Sequence, residues 1–177
     1  AELIDNRAFY HCEKISGKLD LSNAEKIGNS AFEECKGITE VITKKAKIIG
    51  DLAFSGCSSL EKFTISDNIY GIARAEKADS EYIGLNAFFK CTSLEEIVTP
   101  VLHKIPNQPY FFNDIFDSDG NSNVKILKFT KTQETEIPQN IFGNIATYTE
   151  ITIPRNINTI GMFNFKSCKN LKDVYFG

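Results

Sequence analysis

Residues 27–38 read IGNSAFEECKGI, and the same frame returns as IGDLAFSGCSSL at 49–60 and IGLNAFFKCTSL at 83–94. A recurring stretch is a structural unit, so its period has to be fixed before any local pattern is read. Anchored on the opening isoleucine, copies begin at Ile4, Ile27, Ile49, Ile83, Ile105, Ile137 and Ile160. The intervals are 23, 22, 34, 22, 32 and 23 residues, which makes the unit 22 or 23 residues long with two insertions. Five positions after each anchor stands an aromatic residue: Phe9, Phe32, Phe54, Phe88, Tyr110, Phe142 and Phe165. Eight positions after it stand Cys12, Cys35, Cys57, Cys91, Asn113, Ile145 and Cys168.

After the cysteine slot each copy carries an apolar-x-x-apolar-x-apolar run, such as Leu60–Ile65 (LEKFTI) or Leu171–Phe176 (LKDVYF). Its last three residues alternate with the period of a strand that buries one face. The Ala-Phe-x-x-Cys stretch is too short for a full helix and predicts a single helical or 3₁₀ turn. One short parallel strand and one such turn per unit define an α/β solenoid of the leucine-rich-repeat kind, with about seven repeats. The whole of 1–177 is expected to form one such unit, with insertions at about 66–82 and 117–123.

The unit Ile-Gly-x-x-Ala-Phe-x-x-Cys, intact at 27–35, 49–57 and 83–91, resembles the BspA-type leucine-rich repeat of bacterial and some protist surface proteins. The resemblance spans nearly the whole chain. Departures are Asp5 in place of Gly, a proline after Ile105 and Ile137, the missing cysteine in those two copies, and Asn164 in place of Ala. It implies a cell-surface or extracellular setting and adhesion to proteins of a host or of neighbouring cells. Leu3–Phe9 is already in repeat phase and the chain stops on strand-like Val174-Tyr175-Phe176, without the polar caps a solenoid needs at its ends. The chain therefore reads as a segment of a longer protein.

Composition narrows the function classes. Net charge is −3 with a pI near 5.5, so there is no basic field to attract phosphate backbones, and nucleic acid is excluded as an expected partner. No apolar run approaches the ~20 residues of a membrane span. The nucleophile-elbow, phosphate-loop and His-Glu-x-x-His signatures are all missing, which points away from an enzyme and implies no cofactor.

The cysteines are candidates for four fates. In a stacked coil their column would bring Cα atoms about 4.8 Å apart, compatible with disulfides. The same slot holds Ile145, however, which marks it as apolar, and the count of five is odd. Zinc would require Cys-x₂₋₄-Cys pairs, and none occur. Cys12, Cys35, Cys57, Cys91 and Cys168 are thus expected to be buried free thiols that pack with the phenylalanines. His11 falls at a slot that tolerates Glu34, Gly56, Lys90, Phe112, Asn144 and Ser167 in the other copies, and His103 at one that varies among polar residues, so both are expected to be solvated. The loop Asp117–Asn123 (DSDGNSN) fails as a calcium loop: aligned on its glycine, it puts Ile115 and Ile126 where acids are required.

Function then falls to the surface. Two outward rows run across the expected sheet: Lys18, Glu40, Lys62, Glu96, Ile126, Glu150, Asp173, and Asp20, Ile42, Thr64, Val98, Lys128, Thr152, Tyr175. The first four residues of the first row alternate in charge, as a solvated face would. Ile42, Val98, Ile126 and Tyr175, with Lys128 among them, suit a partner-binding strip, since the strand face of a solenoid is its usual binding surface. Tyr70, Arg74 and Tyr82 in the first insertion are of types favoured at binding hot spots. The expected function is non-catalytic protein binding. A structural spacer and a glycan-binding accessory region of a larger surface enzyme are the alternatives.

Overall fold

In the computed structural model, residues 1–73, 81–103, 112–116, 123–130 and 133–177 are described. Arg74, Ile105, Tyr110 and residues 117–122 lie outside them. The alternating segments form one parallel sheet of seven strands: Ser16–Asp20, Gly37–Ile42, Lys62–Thr64, Glu96–Thr99, Ile126–Phe129, Glu150–Ile153 and Asp173–Phe176. They lie side by side in chain order, so each copy hydrogen-bonds to the next. The anchor isoleucines build a second, narrower parallel sheet from Leu3–Ile4, Lys26–Ile27, Ile48–Ile49 and Tyr82–Ile83. The first insertion adds Gly71–Ile72 to its edge, and Glu136–Ile137 pairs separately with Thr159–Ile160. The result is a solenoid-like stack of parallel coils.

The Ala-Phe-x-x-Cys stretch is not the helical turn expected from the sequence. Among the described residues the only 3₁₀ helix is Phe112–Ile115. Elsewhere the stretch is a chain of turns, for example Ala31 N–H to Gly28 O at 3.3 Å, Glu33 N–H to Ser30 O at 3.2 Å and Cys35 N–H to Phe32 O at 3.2 Å. Two left-handed residues punctuate each described copy. Three positions after the anchor they are Arg7, Ser30, Leu52, Asn86, Asn140 and Phe163, and seven positions after it His11, Glu34, Gly56, Lys90, Asn144 and Ser167. The physical reason lies in the neighbouring coil. A helix would spend its N–H groups on itself, whereas here Ser30, Phe32 and Glu34 donate to the carbonyls of Asp51, Ala53 and Ser55 at 2.7–2.9 Å. The left-handed residues aim those donors sideways. The variability of the His11 slot thus reflects a shared backbone conformation as well as exposure.

Inside the coils the repeat phenylalanines stack along the axis. Phe9 and Phe32 centroids lie 5.0 Å apart, Phe32 and Phe54 5.3 Å, and Phe54 and Phe88 6.3 Å, with interplanar angles of 10°, 5° and 24°. Phe32, Phe54, Phe88 and Phe142 are buried, each worth about 2–3 kcal/mol of transferred apolar surface. Phe165 is half-buried and Phe9 is 40% exposed, because each belongs to a terminal coil with a neighbour on one side only.

All five cysteines are free, and Cys35, Cys57 and Cys91 are buried. Their thiols do more than fill space. Each donates to the phenylalanine carbonyl of the preceding coil: Cys35 Sγ to Phe9 O at 3.1 Å, Cys57 Sγ to Phe32 O at 3.2 Å and Cys91 Sγ to Phe54 O at 3.1 Å. Two cysteines depart from the expected burial. Cys12 is exposed and Cys168 is half-buried, again because they sit in the end coils.

Burial pushes the Cys57 thiol up to about 12 and that of Cys91 well above its ordinary value. A thiolate is the reactive species. In the native protein, alkylation of Cys57 and Cys91 by iodoacetamide is therefore expected to be on the order of a hundredfold slower than that of Cys12, as peptide mass spectrometry would read out. The raised value also sets a sign for stability. Below pH 9 the thiol is protonated in both states and its contribution is complete; between pH 9 and about 12 only the unfolded chain ionises, and stability falls.

Glycine after the anchor is required by close approach. A Cβ built on Gly28 would lie 2.5 Å from Asn6 N, and one on Gly50 would lie 2.6 Å from Asn29 N. The same step carries a side-chain ladder: Asn6 Oδ1 accepts from Asn29 N–H at 2.8 Å, Asn29 Oδ1 from Asp51 N–H at 3.1 Å, and Asp51 Oδ1 from Leu85 N–H at 2.9 Å.

Candidate protein-binding face

The two outward rows fall in the order the sequence lays out. Lys18 stands opposite Glu40, Glu40 opposite Lys62, Lys62 opposite Glu96, Glu96 opposite Ile126, Ile126 opposite Glu150, and Glu150 opposite Asp173. The second row runs Asp20, Ile42, Thr64, Val98, Lys128, Thr152, Tyr175 in the same register. Between the rows Val41, Phe63, Ile97, Leu127 and Ile151 point into the core and are buried. Strand alternation therefore fixes which side chains the sheet presents.

On that face Ile42, Val98, Ile126 and Lys128 are half-buried and Tyr175 is 52% exposed. The three lysines of this face are each paired with a carboxylate on an adjacent strand. Lys18 Nζ lies 3.3 Å from Glu40 Oε1, and Glu96 is held between Lys62 at 2.7 Å and Lys128 at 3.3 Å. Desolvation raises the Glu96 carboxyl, but the hydrogen bond and charge of Lys62, helped by Lys128, outweigh it and hold the group below its ordinary value. At the edge of these pairs Lys125 pairs with Glu95. A shallow depression of about 700 Å³ opens here, lined by Glu61, Lys62, Thr92, Ser93, Glu95, Glu96 and Ile126.

The insertion residues divide. Tyr70 is 47% exposed and its ring stacks on His103, with centroids 4.7 Å apart and planes within 8°. Tyr82, proposed from the sequence as a surface contact, is only 2% exposed: it lies in the inner sheet, where Gly71 and Ile48 flank it, and burial pushes its hydroxyl up to about 12. It leaves the candidate set. Arg74 falls outside the described residues. His103 is half-buried under Tyr70 rather than solvated, and its Nε2 lies 3.9 Å from Glu134 Oε1. The sequence carries no signal for this stack, because the insertion that brings Tyr70 to His103 has no repeat register.

Among the described residues no group of three or more His, Cys, Asp or Glu side chains is arranged to hold a metal ion, and no helix is long and apolar enough to cross a membrane.

A parallel sheet of in-register strands, an inner aromatic column and glycine-tight turns define a leucine-rich-repeat protein. The chain belongs to the family described as the BspA type leucine rich repeat region, which matches residues 2–113 and 74–177 in six copies. It is also similar to solved structures. One is a leucine rich cell surface protein from Faecalibacterium prausnitzii, 18% identical with a TM-score of 0.31, the match covering 98% of this chain and 64% of that one. Another is a leucine-rich repeat protein from Bacteroides ovatus, 20% identical with a TM-score of 0.35, covering 99% and 59%. A third, from Eubacterium ventriosum, is 18% identical with a TM-score of 0.31, covering 90% and 59%. The chain thus spans about three fifths of the length of the structures it matches. Among curated proteins none matches it.

Proposed function

We propose that residues 1–177 form a single seven-coil, non-catalytic protein-binding unit of a cell-surface or extracellular protein, and that its work is adhesion. The partner meets the outward face of the seven-stranded sheet through Ile42, Val98, Ile126, Lys128 and Tyr175, with Tyr70 at one end as a second contact. The observation that carries this reading is register. Apolar side chains that alternation turns away from the core recur on one uncovered face, beside lysines that are already paired with carboxylates. Membership of a repeat family typical of protein binding agrees with it. A glycan reading draws on one observation of its own, the exposed Tyr70 ring backed by His103 beside Asp67 and Asn68.

The test is capture of immobilised extracellular-matrix proteins and of intact cells by the chain and by its Ile42→Asp, Val98→Asp and Tyr175→Asp variants. Binding is expected to fall by about tenfold or more, while the melting temperature moves by no more than about 2 °C, as for other surface changes. Capture indifferent to all three changes would remove the sheet face from the reading. No capture in any assay would leave a structural spacer, and glycan-array binding lost only on Tyr70→Ala would favour the glycan alternative.

A further inference from the structure

We propose that the first insertion is a wedge. It adds one rung on the side of the anchors and stacked rings and none in the seven-stranded sheet, and so bends the sheet face inward between Glu96–Thr99 and Ile126–Phe129. The first observation is a mismatch between the two sheets. Glu96–Thr99 and Ile126–Phe129 pair directly, with Glu96 opposite Ile126 and Val98 opposite Lys128. The segments that lead into those two strands do not. Tyr82–Ile83, which precedes the first, pairs with Gly71–Ile72. His103, which precedes the second, bridges to the far side of that strand at Gly71, its N–H donating to Tyr70 O at 2.8 Å. An extra strand thus stands between two coils whose sheet strands touch. Ile72 fills an anchor's place in it, across from Ile83 and buried in the main core.

The second observation comes independently from the aromatic column at the same level. Between Glu96–Thr99 and Glu150–Ile153 the sheet has a single strand. Between Phe88 and Phe142 the column has two rings: Phe116, 5.9 Å from Phe88, and Phe112, 5.4 Å from Phe116 and 5.0 Å from Phe142. In a regular coil adjacent residues carry both junctions, as when Ala31 O accepts from Phe9 N–H and Phe32 N–H donates to Ala53 O, each at 2.8 Å. Here the junctions are pulled apart. Ile115 O accepts from Phe88 N–H at 2.7 Å, Phe112 N–H donates to Ile141 O at 3.0 Å, and the 3₁₀ turn Phe112–Ile115 lies between them. Such a turn rises about 2 Å per residue and covers about one strand spacing of 4.8 Å. The coils on either side must therefore fan apart by about that distance on the anchor side while their sheet strands stay hydrogen-bonded. The inside of the bend is the sheet face, where Glu96 is drawn between Lys62 and Lys128.

The experiment measures distances by double electron–electron resonance on the whole chain in a Cys12→Ser/Cys168→Ser background, which leaves only buried thiols beside the labels. Lys26→Cys/Glu136→Cys and Glu40→Cys/Glu150→Cys span the same two coils on the anchor side and on the sheet side. Four lateral steps separate Glu40 from Glu150, about 19 Å, and the anchor-side pair is expected to be at least about 5 Å longer. Deleting residues 68–79 removes twelve residues and returns the interval from Ile49 to Ile83 from 34 to 22. The deletion is expected to shorten the anchor-side distance by about 5 Å and to leave the sheet-side distance unchanged. Equal distances in the unshortened chain, or an anchor-side distance that survives the deletion, would overturn the proposal. Where the shortened chain does not fold, the two distances in the unshortened chain decide. Neither measurement involves a partner, so the wedge stands or falls separately from the binding reading of the face it curves.

Discussion

Asn164→Ala, which restores the residue that the intact copies carry at that slot, is expected to destabilise the protein by about 3 kcal/mol and to lower its melting temperature by about 10 °C. The repeat pattern alone would rank this change as an improvement. Asn164 is, however, fully engaged within a buried site only 1% exposed. Its Oδ1 accepts from Ile141 N–H at 2.9 Å and Phe142 N–H at 3.3 Å, and its Nδ2 donates to Pro138 O at 2.6 Å and Gly161 O at 3.0 Å. In regular copies the phenylalanine N–H donates instead to the carbonyl of the residue in this slot of the next coil, as Phe32 does to Ala53 at 2.8 Å. The copy with Pro138 in the glycine position reaches the Asn164 side chain in its place. Truncation leaves two donors and two acceptors without that partner in a dry site, and such groups cost about 1–3 kcal/mol each before relaxation. Calorimetric melting of the variant decides it: an unchanged or raised transition would show that the network contributes nothing.

Gly50→Ala is the second large effect. One methyl group is added with no polar change, yet it would meet the backbone of Asn29 at 2.6 Å, so the two coils must part. Overpacking of this kind costs about 3 kcal/mol, and because each coil touches only its neighbours, the loss falls on one interface. A lower melting point and a broadened or split transition are expected, with increased amide exchange at Ser30 and Phe32 on the same junction. Gly17→Ala is the informative control. Its Cβ would meet nothing within 4 Å, but Gly17 has φ +75°, so its cost is the local one of a left-handed alanine, about 1–2 kcal/mol, with cooperativity intact. Equal and equally cooperative melting of the two variants would show that coil spacing is not what the glycine protects.

The candidate face was largely legible beforehand, and the reason is geometric. Side chains in a strand alternate strictly and the copies keep one period, so counting from the anchor places Lys62 beside Glu96 and Thr64 beside Val98 without coordinates. The same counting fails wherever the period fails. Tyr70 and Tyr82 belong to one insertion, and composition ranked them together. Only the fold separates them, laying Tyr82 between inner strands and Tyr70 over His103. Cysteine as a small apolar filler was a sound inference from Ile145 in the same slot, but its hydrogen bond to a phenylalanine carbonyl joins residues 25 or more positions apart.

What IGNSAFEECKGI determined by itself is the repeat: its period, the buried Phe32 and Cys35, the strand that follows, and hence the outward rows. Those depend on local alternation and on hydrophobic spacing, which each copy carries complete. What only the tertiary structure decided is the path of the stretch itself. The expectation of a helical turn weighed the segment's own hydrogen bonds, whereas Ser30, Phe32 and Glu34 give theirs to the next coil through left-handed residues at Ser30 and Glu34. A backbone donor's partner 21 residues away is a property of stacking, and stacking also makes Gly28 obligatory and leaves Glu150 facing Asp173.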